Sequence, residues 1–355
     1  MQDDIAQSAV KELKAALFEE KSELSMVAAV KAEVKAAAKG RGENAEGYRL
    51  YLQGRFFADR ITQKDVAKGI GYFRQVVELD PGYALAWAGL SRAYLNQAGY
   101  SWAPLDEGFG QARTAAERAL ELEWDLPEGH VALGLVQINY DWDWRGADAS
   151  FRRALDLAPG NAEVLRGAAI LAGSIGRYGE AVALARRAVV LDPLSMNAHR
   201  SLGAQCLNAG LLDEAEAVVK KTIEFYPQGG LLHCWLGRVH LAQGRIAEAR
   251  GAFEGEVIEY FHLQGLALVS HAQGRRAESD AALRQLIDKH ARESAYQVAE
   301  VYAFRGEVDL AFQWLERAYA QHDPGLSGTK SNVLLRSLYG DPRWQPFLKK
   351  MGLAD

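Results

Sequence analysis

Three prolines, Pro159, Pro193 and Pro227, stand 34 residues apart. Gly176, Gly210 and Gly244 keep the same step, as do Ala181, Ala215 and Ala249. A fixed period of this size commits the chain to copies of one supersecondary unit, stacked so that each covers its neighbour's apolar face. The expectation is an array, not one globular enzyme domain.

The spacing inside a period says what the unit is. Leu165, Ala168, Ala169 and Ala172 follow a three-and-four spacing that draws one buried stripe on a helix. Gly176 breaks it, and Arg177-Tyr178-Gly179-Glu180 leads into a second stripe of Ala181, Leu184, Ala185 and Ala188, which Asp192-Pro193 stops. Each unit is helix, tight turn, helix. Small residues at Ala169, Gly203 and Gly237 on first helices, and Ala181, Ala215 and Ala249 on second helices, let the two backbones approach closely.

The order of an apolar residue, Leu-Gly, Gly-x-x-x-Glu-Ala, an aromatic, Ala and Pro resembles the tetratricopeptide repeat. It is carried by His199, Leu202-Gly203, Gly210, Glu214-Ala215 and Pro227, and its second half returns at Phe73 and Pro81 and at Ala147, Phe151, Ala154 and Pro159. Units are expected to start near residues 45, 84, 127, 162, 196, 230, 260 and 292. The implied fold is all-α: an α-α superhelix, or solenoid, of about eight hairpins closed by C-terminal helices. Trp124 stands where a proline is expected. The steps from Gly244 to Gly274 and from Gly274 to Gly306, 30 and 32 residues, shorten the joints around residues 255–295.

A narrower resemblance covers nearly the whole chain. Gly47-Tyr48-x-Leu50-Tyr51-Leu52-x-Gly54-Arg55, Tyr83-Ala84-Leu85-Ala86-Trp87-Ala88-Gly89-Leu90, Tyr140-Asp141-Trp142-Asp143-Trp144 and Asp341-Pro342-Arg343-Trp344 resemble landmarks of a bacterial family of signalling proteins. There such arrays form the C-terminal half, behind a winged-helix DNA-binding, class III nucleotidyl cyclase or Ser/Thr kinase domain and a small α/β module. The segment from Gln2-Asp3-Asp4-Ile5-Ala6 through Val10 to Leu13 is similar to the exit from that module. The resemblance implies a sensing or docking half without the upstream catalytic or DNA-reading parts.

Composition fits. Net charge of -5 gives no general pull toward nucleic acid, so no direct nucleic-acid partner is expected. No apolar run approaches the roughly 20 residues that span a bilayer, and no signal peptide opens the chain. A cytoplasmic location is the expectation. Cys206 and Cys234, 28 residues apart on neighbouring first helices, read as buried small hydrophobes, Cys206 in the core and Cys234 toward the groove.

The termini behave differently from the array, expected over 43–323. In 1–42, a linker-like helical segment, Ile5, Ala9, Leu13 and Leu17 trace one stripe and Val27, Val30 and Val34 another. This segment folds back on the first unit, pairs with a second copy or stays partly disordered. In 324–355 two capping helices are expected, Ser331 to Leu338 and Pro342 to Met351, with Trp344, Phe347 and Leu348 covering the last unit's open end. The terminal helices are also the expected surface for a homodimer.

Chemistry is the weakest signal. The chain has no Walker-type loop, no His-Glu-x-x-His and no Gly-x-Ser-x-Gly elbow, so no cofactor, metal site or enzyme activity is expected. His130, His199, His233 and His240 fall where the repeat carries packing aromatics. Asp143 reads as a helix N-cap beside Trp142 and Trp144, not as half of an acid-base pair with Asp141.

Binding has more support, because stacked hairpins line a concave channel with their first helices. In tetratricopeptide geometry the channel-facing slots hold Arg92, Asn96, Asn139, Glu163, Arg166, Asn197, Arg200, Asn208 and Arg238, beside Leu95, Leu207 and Leu241. Asparagines suit a peptide backbone and guanidinium groups suit carboxylates. The expectation is a protein-interaction scaffold, with Arg92, Asn96, Asn139, Arg166, Asn197, Arg200, Asn208 and Arg238 forming a groove for an extended peptide or protein partner. The alternatives are a regulatory C-terminal part of a cyclase- or kinase-type enzyme and a chaperone-like carboxylate-clamp adaptor, although the clamp's lysine and asparagine spacing is not reproduced.

Overall fold

The computed structural model describes residues 44–227 and 229–354. The expected 1–42 segment lies outside them. Among the described residues there is no strand, and the helices come in consecutive pairs.

The eight hairpins are α1 Ala45–Ala58 with α2 Gln63–Leu79, α3 Ala84–Gly99 with α4 Leu105–Leu122, and α5 Pro127–Val136 with α6 Trp144–Leu157. They continue with α7 Ala162–Ser174 and α8 Tyr178–Leu191, α9 Met196–Asn208 and α10 Leu212–Phe225, then α11 Leu232–Ala242 and α12 Ile246–Glu254. The last two are α13 Glu259–Ala272 with α14 Arg276–His290 and α15 Ala295–Phe304 with α16 Val308–Ala320. The short repeat steps are absorbed by trimming: α12 has 9 residues and α15 has 10.

Local chemistry explains the joints. Asn44, Thr62, Asp143, Asn161 and Ser195 each accept a backbone N–H at a helix start, so Asp143 is the N-cap its position suggested. Hairpins from the fourth onward turn at Gly176, Gly210, Gly244, Gly274 and Gly306, all with φ between +73° and +89°, where a side chain would be strained. Close packing relies on Phe253, whose ring lies under both Gly237 and Gly265; a Cβ at either would come within 2.7 and 2.2 Å of it.

The first three hairpins lack that glycine. Ile61, Ser101 and Trp142 hold left-handed turns at φ 49°, 62° and 53°, and among the described residues the other positive-φ positions that are not glycine are Leu231 and His322. These strained positions cluster where the superhelix closes across its own axis. Ile61 packs with Met196 and Leu232, and its carbonyl lies so close to Gly230 that a Cβ there would come within 2.6 Å. Tyr100 and Trp102, either side of Ser101, join the same cluster. Trp142 stacks on His322, ring centres 5.0 Å apart and 6° from parallel. Backbone strain of this kind costs about 1–3 kcal/mol per residue and persists where surrounding contacts over-determine it.

The C-terminal segment differs from the expected pair of capping helices. Instead of a helix over Ser331 to Leu338, the chain forms 3₁₀ turns at Pro324–Ser331 and Val333–Leu338, then α17 Trp344–Lys350. Pro324 and the glycines at 325 and 328 favour tight turns over a continuous α-helix. Leu326, Leu335, Leu338, Trp344, Phe347 and Leu348 do bury against the last hairpin, as the sequence pattern suggested. The strap then crosses the concave face to the third and fourth hairpins. The Trp144 Nε1–H donates to the Met351 carbonyl at 2.6 Å, and the Tyr178 hydroxyl donates to the Lys330 carbonyl at 3.1 Å.

Candidate functional site

The inward slots of the first helices carry more carboxylates than the arginine-based reading of the groove allows for. Arg92 Nη2 lies 2.5 Å from Asp59 Oδ1, and its Nη1 lies 3.1 Å from Glu163 Oε1. Arg166, buried, donates twice to Glu163, with Nε at 3.0 Å and Nη2 at 2.5 Å. Burial alone would push the Glu163 carboxyl up, but Arg166 and Arg92 outweigh it and hold the pKa well below the ordinary range. Arg238, also buried, makes a two-pronged pair with Glu300, both bonds 2.9 Å. Desolvation opposes its charge, and Glu300 more than restores it. Asn197 donates to Asp59 at 3.2 Å, and Arg200 donates to the Tyr100 hydroxyl at 3.0 Å.

Arg92, Arg166, Asn197 and Arg238 are therefore committed to the protein's own carboxylates. They knit hairpins together: Asp59 of the first touches Arg92 of the second and Asn197 of the fifth. Arg238 of the sixth meets Glu300 of the eighth. Arginines in this setting have no unpaired charge to offer an acidic peptide.

The strap covers part of the concave face and leaves a cavity of about 300 Å³. Asn96, Asn139, Asn208 and Arg238 of the expected groove line it, while Arg92, Arg166, Asn197 and Arg200 do not. Asn139, in a π-helical turn at Gln137–Asp141, donates to the Leu135 carbonyl and accepts from Ser327 of the strap. The carboxamides of Asn96 and Asn208 make no hydrogen bond among the described residues and are only half-buried. Each presents a donor and an acceptor to the cavity. Aromatic walls come from Tyr100, Phe109, Trp235, Tyr260, Phe261 and Tyr296. Periodicity could not identify these walls, because several sit outside the channel-facing slots of the repeat.

Cys234 is at the cavity wall, its thiol pushed up to about 12 by burial, and Cys206 is in the core with the same direction of shift. Neither is a reactive thiolate near neutral pH. Of the flagged histidines, the His130 and His199 rings each contact a backbone carbonyl six residues before them, of Trp124 and Pro193, which is a packing role. No group of three or more side chains suited to a metal ion occurs among the described residues. Among them, no helix is long and apolar enough to cross a membrane.

This geometry defines an α-solenoid of helical hairpins with a channel closed by its own C-terminal strap. Residues 143–195, 167–230 and 207–260 match the tetratricopeptide repeat family in overlapping windows, so the middle of the array is built of tetratricopeptide repeats. Such repeats make protein-interaction scaffolds, a fold that typically carries no catalysis. Two similar curated proteins are named Cellulose synthase operon protein C. The one from Xanthomonas axonopodis pv. citri (strain 306) is 30% identical over 211 residues, 57% of this chain and 13% of that one. The one from Pseudomonas fluorescens (strain SBW25) is 24% identical over 239 residues, 64% of this chain and 18% of that one. The matched part is thus under a fifth of either relative's length. Among solved structures, the human IFIT1 dimer with m7Gppp-AAAA superposes with a TM-score of 0.53 at 17% identity, covering 72% of this chain and 68% of that one. At that identity the likeness is one of fold.

Proposed function

We propose that the chain is a non-enzymatic docking module that receives a short segment of a protein partner, a loop or chain end, in the cavity beneath the strap. The observation that carries this reading is the pair of unpartnered carboxamides, Asn96 and Asn208, facing a 300 Å³ aromatic cavity on the concave side. A carboxamide bonds the N–H and C=O of a peptide group equally well. A partner threading the whole channel would first have to lift the strap, whose Leu326, Leu334, Leu335, Leu338, Trp344, Phe347, Leu348, Met351 and Leu353 are buried. At about 1.5–3 kcal/mol each, their burial exceeds the roughly 8 kcal/mol of a micromolar complex. The ligand is therefore short and the strap stays in place.

The carboxylate-clamp adaptor loses its support, since Arg92, Arg166 and Arg238 are neutralised internally. The setting we favour, on the landmark residues, is bacterial signalling or transcriptional control in the cytoplasm, with the chain acting as the regulatory half of a larger system. A photocrosslinking residue at position 208, compared with one at Glu224 on α10, tests the site. Mass-identified adducts confined to position 208 are expected; equal adducts at both positions would reject the cavity as the docking site. For self-association the exposed candidate is Tyr48, Leu52 and Phe56, a stripe at every fourth residue of α1.

A further inference from the structure

We infer that the cavity selects a basic group on its ligand, a lysine side chain or other primary amine, and excludes an acidic one. The inference deepens the docking reading and rests on it. Its ground is the charge of the lining: Glu300 and Arg238 cancel, Asp323 is buried on the N–H groups of Tyr296 and Gly325, and Glu293 is left over. Glu300 neutralises the Arg238 charge through both terminal nitrogens, and of the Arg238 nitrogens only the buried Nε–H has no partner among the described residues. Arg200 lies outside the lining, where it donates to the Tyr100 hydroxyl.

Glu293 decides the sign. It is half-buried in the lining, and among the described residues no cation or hydrogen-bond donor pairs with its carboxylate. A carboxylate partly removed from water without a partner is destabilising, and an incoming ammonium relieves that cost. The aromatic walls act in the same direction. Tyr260 and Phe261 lie with ring centres 4.3 Å apart beside Trp235 and Tyr100, and ring faces attract a cation while the hydrocarbon stem packs on them. The free Oδ1 atoms of Asn96 and Asn208 accept from the same ammonium or from the flanking peptide N–H groups. An acidic side chain would meet the uncompensated Glu293 carboxylate and no free guanidinium charge.

The test uses the full chain and three end-blocked tripeptides, glycine-X-glycine with X lysine, glutamine or glutamate, titrated by calorimetry. A fourth arm, hexylamine, separates a free amine from a peptide-borne one. The lysine peptide is expected to bind about tenfold more tightly than the glutamine peptide, the value of one charge-assisted bond. The glutamate peptide is expected to bind more weakly than either. Glu293→Gln should bring the lysine-to-glutamine affinity ratio to about one, and the wild-type ratio should shrink with added salt. Equal binding of lysine and glutamine peptides, or binding of the glutamate peptide as tight as that of lysine, would overturn the charge selection and leave the docking site standing. Failure of all three peptides to bind would overturn the docking reading and this inference with it.

Discussion

Glu300 is the residue on which the far side of the channel depends. It is fully buried and accepts from both terminal nitrogens of Arg238 at 2.9 Å. The side-chain amides of Gln264 and of Asn332 in the strap donate to it as well. One carboxylate thus ties the sixth, seventh and eighth hairpins to the C-terminal segment. Glu300→Ala strands the Arg238 charge in a buried site, which costs about 3–5 kcal/mol. The two amides each lose one acceptor, keeping the Gln297 carbonyl and the Tyr296 hydroxyl, which adds roughly 1 kcal/mol apiece. Against a total stability of about 5–15 kcal/mol this is a severe loss.

The comparison that isolates the cause is the double variant Arg238→Met with Glu300→Leu. It removes both charges and keeps most of the volume, so the burial penalty of the pair disappears along with its attraction. The expected cost is only the roughly 2 kcal/mol of the hydrogen bonds that Gln264 and Asn332 lose. Urea unfolding followed by far-ultraviolet circular dichroism, with the slope checked for constancy, measures both. The reasoning fails if the double variant is as unstable as Glu300→Ala, or if Glu300→Ala costs under about 1 kcal/mol.

Burial pushes the Asp323 carboxyl up to about 7, against the accepted N–H groups of Tyr296 and Gly325 that pull it down. Its folded pKa lies above the unfolded value near 3.8, so its contribution is full below about pH 4 and is lost as pH rises through 7, up to about 4 kcal/mol. Asp323→Asn should flatten that part of the stability profile, measured by urea unfolding between pH 4 and 8; an unchanged slope would reject it. Trp142→Ala removes the stacks on His322 and Tyr319. It should cost about 2–4 kcal/mol and raise the radius of gyration measured by small-angle scattering, whereas an unchanged radius would mean that the stack does not hold the closure. Gly265→Ala places a methyl group 2.2 Å from the Phe253 ring. A loss of about 1–3 kcal/mol is expected in thermal unfolding.

Much of the hairpin plan was legible because it is written at a fixed step. Gly176, Gly210 and Gly244 marked turns, and the unit starts read near 45, 84, 127, 162 and 196 match α1, α3, α5, α7 and α9. The closure was not legible, since its contacts join residues with no periodic relation: Asp59 to Asn197, and Trp144 to Met351, 138 and 207 residues apart. The same limit governed the groove. Helical periodicity can place Arg166 and Arg238 facing inward, but the partner that decides whether the charge is free sits elsewhere on the helix or on another hairpin. Glu163 stood in the same set of slots as a visible hint; Glu300 had no local signal. One consequence is practical: Arg166→Glu, attractive as a test of an acidic-ligand groove, would set a second carboxylate beside Glu163 and unfold rather than probe the site.

Closure also changes what kind of solenoid this is. In an open repeat array each unit answers only to its neighbours, and stability adds along the chain. Here the first hairpin contacts the fifth through Asp59 and the sixth through Ile61, and the strap contacts the third and fourth through Met351 and Lys330. The positive-φ residues other than glycine, Ile61, Ser101, Trp142, Leu231 and His322, lie at these crossings, so the strain they hold is sustained by contacts between distant units. Losing one crossing then costs stability in hairpins far from it in sequence. A cavity lined by the second, third and fifth to eighth hairpins and the strap keeps its shape only while the crossings hold, which makes the closure the physical basis of the site's preorganisation.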